Sequence, residues 1–466
     1  MYSLMIKQFV RTRLVWISFL LILSTGVVGI LTGKQFLDKQ EDIISKVTHY
    51  QQEHIERNVA VSDEMGLLLY YLRFALISKP DPLTALSIGQ RDVNPGIQSV
   101  TIRTLEAQKY DTDLNNPSNL QSGNLDLGFV IIYLFPLVII AFTFNLLSEE
   151  SESGTWRLVA VQSRSTLQFL FTKLSVRAIF LYAALLVLFV LAIIILSLAL
   201  SKALLGFVLL STFYLAFWFA LSLLVVSFKR SSTVNVLTLL SAWIALAILL
   251  PASVNNYVAN QYPIPEALST MVKQRDGYHE KWDMDKKVTM DKFYAHYPQF
   301  KKFGVPEGSF SWLLYYAMQQ MGDDESLQQS KEMRNKILLR EEASRAFGLG
   351  IPTMHAQLLF NDIAKTSLRD HLKFLDKTNE FHEKMRLHFY PKIFENEAVK
   401  IEDWSKFKPE YVSVDDDINW LMLILPLLIS TTVVSLPVYA NLKQLAGYVG
   451  KSHSDRKPAL VNLQRR

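Results

Sequence analysis

Residues Ser148–Arg177 read SEESESGTWRLVAVQSRSTLQFLFTKLSVR, a charged stretch held between two apolar runs, Leu127–Leu147 and Ala178–Leu200. At 1.5 Å rise per residue each run is long enough to cross about 30 Å of hydrocarbon. Working outward, four more runs of the same kind appear: Leu14–Thr32, Leu204–Phe228, Val234–Pro251 and Ile418–Ala440. A lone span has no water to satisfy its backbone, so each run is expected to be a helix. The sequence therefore predicts an all-α polytopic membrane protein with six transmembrane helices and a mainly helical extracytoplasmic domain. The charged stretch is where the chain leaves the membrane between spans 2 and 3, acids first and bases after.

Composition agrees. Half of the 466 residues are hydrophobic and the mean hydropathy is +0.18, whereas a soluble chain of this length rarely averages above zero. The net charge of +5 does not point to nucleic acid, because Lys and Arg gather at span ends and form no stripe with interleaved aromatics. The absence of cysteine excludes disulfides, thiol catalysis and cysteine metal sites. Lys7, Arg11 and Arg13 precede the first run. That run is longer than a signal-peptide core and reads as an uncleaved first span.

Bases orient the chain. They occupy the N-terminus, the segment between spans 2 and 3 (Arg157, Arg164, Lys173, Arg177), the loop between spans 4 and 5 (Lys229, Arg230) and the tail from Lys443 to Arg466. With six spans all four fall on one side, which the positive-inside rule makes cytoplasmic. The expected organisation is then residues 1–33 as N-terminal segment and span 1, 34–126 as a first extracytoplasmic insertion, and 127–251 as spans 2–5. A second, helical extracytoplasmic domain follows at 252–417, then span 6 at 418–440 and a basic tail at 441–466. In the first insertion Lys39–Arg57 has a polar helical pattern, and Val100–Leu105 alternates weakly like a short strand. In the second, few breakers occur from Ser326 to Phe394 apart from Gly348–Pro352. Leu368, His371, Phe374, Leu375, Thr378, Phe381 and Met385 recur there at helical spacing.

Catalytic signatures are missing. Gly450-Lys451-Ser452 resembles the end of a phosphate loop, but Leu445 stands where that loop needs its first glycine. His355, His371, His382 and His388 do not have the spacing of a helical zinc pair. His382 and Glu383, with Arg386 near, read as solvated helix-face residues. The spans carry practically no ionisable side chains, so an ion-coupled carrier is disfavoured. Gly154 can turn the chain, Thr155 can cap a short helix from Trp156 to Val161, and Glu149, Glu150 and Glu152 would stand near that helix's N-terminus, where its dipole favours negative charge.

This pattern resembles the membrane subunits of ABC-type export permeases, with Glu152, Gly154, Thr155, Leu158, Arg164 and Lys173 in the matching positions. Leu83–Gly96 (LTALSIGQRDVNPG), Gly123–Glu150 and Ile363–Arg386 resemble a bacterial subgroup of these (type-2) permeases with two extracytoplasmic insertions. One departure is Gln162-Ser163, where the family has a proline after the short helix. The resemblance implies that 148–175 carries a coupling helix, with Glu149, Glu150, Glu152, Gly154, Thr155, Trp156, Arg157, Leu158, Arg164 and Lys173 docking an ATPase. It implies no catalytic site and no cofactor in this chain, ATP and Mg being bound by a partner dimer of ATP-binding subunits. It further implies a second permease copy or paralogue, lipid contact, no nucleic acid, and a place in the bacterial inner membrane with both termini cytoplasmic. The expected function is ATP-driven export. Force transmission to an extracytoplasmic partner is the alternative, and a polytopic membrane enzyme or sensor the more remote one.

Overall fold

The computed structural model describes residues 2–109, 124–155, 166–265, 281–413 and 417–454. Six of its helices are long and apolar enough to cross a membrane, and they coincide with the six apolar runs. In chain order the main helices are α1 (Tyr2–Val10), α2 (Arg13–Val61), α3 (Met65–Tyr71), α4 (Leu127–Glu152), α5 (Thr166–Leu196), α6 (Lys202–Ser227) and α7 (Ser232–Gln261). There follow α8 (Lys286–His296), α9 (Trp312–Gly348), α10 (Pro352–Ile363), α11 (Leu368–Phe394) and α12 (Trp420–Ser454). The third span stops at Leu196, short of the expected Leu200, because Ser197 turns into the left-handed region with φ 51°.

The first span does not end where its apolar run ends. α2 is one helix of 49 residues, so the polar pattern at Lys39–Arg57 continues it. Asp42–Lys46 and Glu53–Arg57 pairs, both at 2.6 Å, support the exposed part at i, i+4 spacing. Close packing holds its middle. A Cβ on Gly33 would lie 1.9 Å from the Ala85 carbonyl oxygen, so only glycine lets the 82–88 loop lie against the helix.

Prolines shape the other spans. α4 opens a π turn at Val130–Leu134 just before Pro136, and α7 opens one at Ala245–Leu249 just before Pro251. Proline supplies no N–H to the carbonyl four residues back, and a wider turn relieves its ring clash. The carbonyls that lose a partner find side chains. Ile132, four before Pro136, accepts from the Tyr214 hydroxyl at 2.8 Å. Met422, four before Pro426, accepts from Nε2 of His355 at 3.0 Å. In an apolar bundle an orphaned carbonyl costs several kcal/mol, so these two bonds hold kinked spans together.

The second of them comes from an unexpected place. α10 belongs to the segment between spans 5 and 6, yet it packs into the span bundle. Phe360 stacks on Phe207 of α6 with ring centroids 4.2 Å apart, and Ala356, Phe360 and Ile363 join the core of the bundle. The Gly348–Pro352 interruption is the point where the chain turns to reach it.

Most of the other described residues of the two long polar segments form one head with its own core. The exception to the all-α expectation lies here. β1 (Phe74–Ser78) pairs antiparallel with β2 (Ile97–Val100) and parallel with β3 (Glu410–Val412), in the order β2-β1-β3. Apolar residues at Phe74–Ile77 are buried on both faces, which suits a central strand. The expected strand at Val100–Leu105 is displaced towards the N-terminus. Phe74 stacks on Phe389, and Phe389 on Trp404.

A buried polar net joins the two segments. Arg386 donates to the carbonyls of Ile102 at 3.1 Å and Arg103 at 2.7 Å and to Asp323 at 2.7 Å. Asp323 also accepts from the Leu105 N–H at 2.9 Å. Nε2 of His382 donates to the Thr101 carbonyl at 3.0 Å. His382 and Arg386 are therefore not solvated: each is 2% exposed. Both lie on the side of α11 that buries Phe374, Phe381 and Met385. Burial beside Arg386 pushes the His382 pKa well below the ordinary range. His371, half-buried, is pushed down to about 4 by burial and by Arg91.

Candidate functional site

Four base-bearing parts of the chain meet at one end of the bundle. Ser175 of α5 donates to the Tyr2 hydroxyl of α1 at 3.2 Å, and Asn441 of α12 donates to Ser227 at 2.9 Å, next to the Lys229-Arg230 turn. The acidic residues Ser148–Glu152 lie in their midst. They form the last turn of α4, where a helix dipole disfavours carboxylates. The short helix expected at Trp156–Val161, near whose N-terminus they would stand, lies outside the described residues; within those, two neighbours balance the carboxylates.

The first is Lys173. It sits two turns into α5 with its side chain 7% exposed. Its ammonium donates to Glu150 at 2.7 Å, to Glu149 at 3.1 Å and to the Leu146 carbonyl at 3.4 Å. Three N–H donors thus meet three acceptors, and α4 is fastened to α5. Glu150 is 12% exposed and Glu149 45% exposed. Arg177, one turn further along α5, lies buried with its guanidinium 5.9 Å from the Phe9 ring of α1. Its Nη1 has no hydrogen-bond partner among the described residues.

The second neighbour is the start of α7. Ser231 caps that helix through the Val234 N–H. Glu152 accepts from the Ser232 N–H at 2.7 Å and its hydroxyl at 2.8 Å. Ser148 meets the Ser232 hydroxyl at 2.7 Å, and buried Asn235 donates to the Phe144 carbonyl at 3.0 Å. Glu152 therefore does sit at a helix N-terminus, that of α7, where hydrogen bonding to Ser232 and the dipole both favour its charge. The result is a clasp through which α4 holds α5 on one side and α7 on the other.

Of the sequence-predicted residues, Glu149, Glu150 and Lys173 come together and Glu152 stands apart from them. Gly154 makes the turn expected of it with φ 72° and open space around it. Thr155 is exposed, its hydroxyl 2.8 Å from that of Ser153. Trp156, Arg157, Leu158 and Arg164 lie outside the described residues. Sequence reasoning gave Ser232 and Asn235 no site role and took Arg177 only as an orienting base. The Ser231-Ser232 pair opening an apolar run is a helix-start signal that would have found the first. The cavity beside the clasp, bordered by Phe9, Glu149, Lys173 and Arg177, measures about 70 Å³ and is too small for a nucleotide. The arrangement can transmit displacement between helices and offers a surface at Glu149 and at the Ser153–Thr155 tip.

Residues 267–411 match a family described as a domain of unknown function, DUF3526. No curated protein and no solved structure matches the chain.

Proposed function

We propose that the chain is the membrane-spanning permease subunit of an ATP-driven, ABC-type export system of the bacterial cytoplasmic membrane. Both termini and the clasp face the cytoplasm, the head lies outside, and a partner dimer binds ATP and Mg and docks at 148–175. A second permease copy completes the path. The observation that carries the reading is the clasp. A push on the turn after Glu152 reaches α4, α5 and α7 at once through Lys173 and Ser232. The apolar spans and the loop charges support the orientation.

The test is co-purification after mild detergent extraction of the chain from its own host. An ATP-binding protein is expected, and Thr155→Arg, at an exposed position, should release it without changing thermal unfolding. If no ATP-binding protein accompanies the wild-type chain, the proposal fails.

One observation favours force transmission to an extracytoplasmic partner as a second reading. α7 is held at both ends, by Glu152 at its start and by Arg340 of α9 at its finish, where Nε and Nη2 donate to the carbonyls of Tyr262 at 2.7 Å and Ala259 at 3.2 Å. This reading expects ATP to change hydrogen exchange in α9 of the complex, and Arg340→Gln to abolish that change while ATP hydrolysis continues. Unaltered exchange in the wild type would remove it.

A further inference from the structure

A second cavity, of about 1090 Å³, lies where the span bundle meets the head. It is bordered by the turn at Ser201–Ala203 between α5 and α6, by α10, and by the chain from Asp417 to Leu423 that starts α12. The lining has two characters. Leu349, Leu359, Ile363, Met422 and Leu423 supply an apolar part, in which Leu349 and Met422 leave 44% and 45% of their surface uncovered. The remainder is charged. Two of its acids are already engaged, Asp362 by a two-pronged bond from Arg345 at 2.5 and 2.7 Å and Asp370 by the Ser367 cap at 2.7 Å. Lys202 and Arg369 are exposed and have no side-chain partner among the described residues. Asp417, also exposed, adds one carboxylate.

The height of this cavity along the bundle matters. Lys202 is the first residue of apolar α6 and Trp420 the first of apolar α12, so the cavity sits where hydrocarbon gives way to the polar layer. Tryptophan and lysine favour that level. Its volume exceeds the roughly 300–1,000 Å³ of pockets for drug-sized ligands. Uncovered leucine and methionine beside two uncommitted cations fit a ligand with an apolar part and an anionic part. A guanidinium and an ammonium together suit a phosphate.

We propose that this cavity binds a phospholipid, its phosphate against Lys202 and Arg369 and the first part of its acyl chains along Leu359, Met422 and Leu423. The inference rests on the spans crossing a membrane and is independent of ATP-driven export.

The test uses the full chain, delipidated in dodecyl maltoside and titrated in native mass spectrometry with dioleoyl phosphatidylglycerol, dioleoyl phosphatidylethanolamine and glycerol 3-phosphate. Both lipids are expected to saturate one site that glycerol 3-phosphate does not compete for. Lys202→Gln with Arg369→Gln should weaken binding at least about tenfold, as should Leu349→Asp at its exposed position. Lys400→Gln with Lys408→Gln, equal in charge, exposed and outside the cavity lining, should leave binding unchanged. Equal binding by the cavity and control variants would overturn the proposal, as would displacement by glycerol 3-phosphate, which marks a plain anion site. So would the lack of a saturable lipid. A chain that binds lipid but recruits no ATP-binding protein keeps this inference and loses the proposed function.

Discussion

Lys173→Met isolates the clasp. The lost ammonium leaves Glu150, only 12% exposed, and the Leu146 carbonyl without their contacts. Removing one partner of a buried ion pair costs about 3–5 kcal/mol. Glu149 lies at 45% exposure, so water takes over its share. The net expectation is a loss of about 2–4 kcal/mol. Glu149→Gln keeps the main bond and should cost no more than about 1 kcal/mol. Pairing Lys173→Met with Glu150→Leu removes both charges, and packed apolar groups replace a buried pair at little cost. That double variant should lie within about 1 kcal/mol of the wild type. Unfolding by SDS titration of the chain in dodecyl maltoside, followed by tryptophan fluorescence, closes the cycle. The reasoning is refuted if Lys173→Met is no worse than Glu149→Gln, or if the double variant is as unstable as the single one.

Three further outcomes follow from the geometry. Gly33→Ala forces a Cβ into the Ala85 carbonyl and should cost at least about 3 kcal/mol, seen as lost folded yield on size exclusion, whereas Gly154→Ala meets only the left-handed penalty of about 1–2 kcal/mol. Arg386→Ala strands Asp323 inside the head and should lower stability by about 3–5 kcal/mol in the same denaturant assay, with faster proteolysis of 290–412. His382 has its folded pKa below its unfolded value, so its neutral form supports the fold above the unfolded pKa near 6.5 and that support is lost as pH falls below it. Between pH 6.5 and 5 the loss from His382 should reach about 2 kcal/mol, and His382→Gln, which still donates to Thr101, should remove that share of the slope and leave the share of His371.

The six long helices were legible because each carries an unbroken apolar run, and all six runs became helices long enough to cross a membrane. The head was less legible. Phe74–Ser78 is a short apolar run whose partners lie in two distant segments, and no local pattern announces that pairing. α10 escaped for a similar reason. PTMHAQLLFNDI reads as an ordinary half-polar helix, and only the free carbonyl of Met422 and the ring of Phe207 explain why it enters the bundle. His382 and Arg386 were misread because charged and titratable side chains on a helix usually face water. Here a full set of backbone carbonyls and Asp323 receives them. At the clasp, the charges themselves were visible in sequence, but their use was not. Glu150 and Glu152 are spent within the chain, and the surface left for a partner is smaller than the run of acids suggests.

The three-stranded sheet also sets a clock. Leu76 pairs with Glu410, about 330 residues later, and a ribosome adding roughly 5–20 residues per second needs about 15–70 s to make that length. Throughout that interval Phe74–Ile77 has β2 on one edge and nothing on the other, and the neighbouring Leu68 and Leu69 await the later part of the core they share, which includes Phe389 and Tyr390. The nascent head must be kept from pairing with other chains until the fifth span and the whole second segment have passed. Its maturation is thus tied to synthesis of the chain as far as Val412, and a product cut short before that would keep an open strand edge, a template for pairing with other chains.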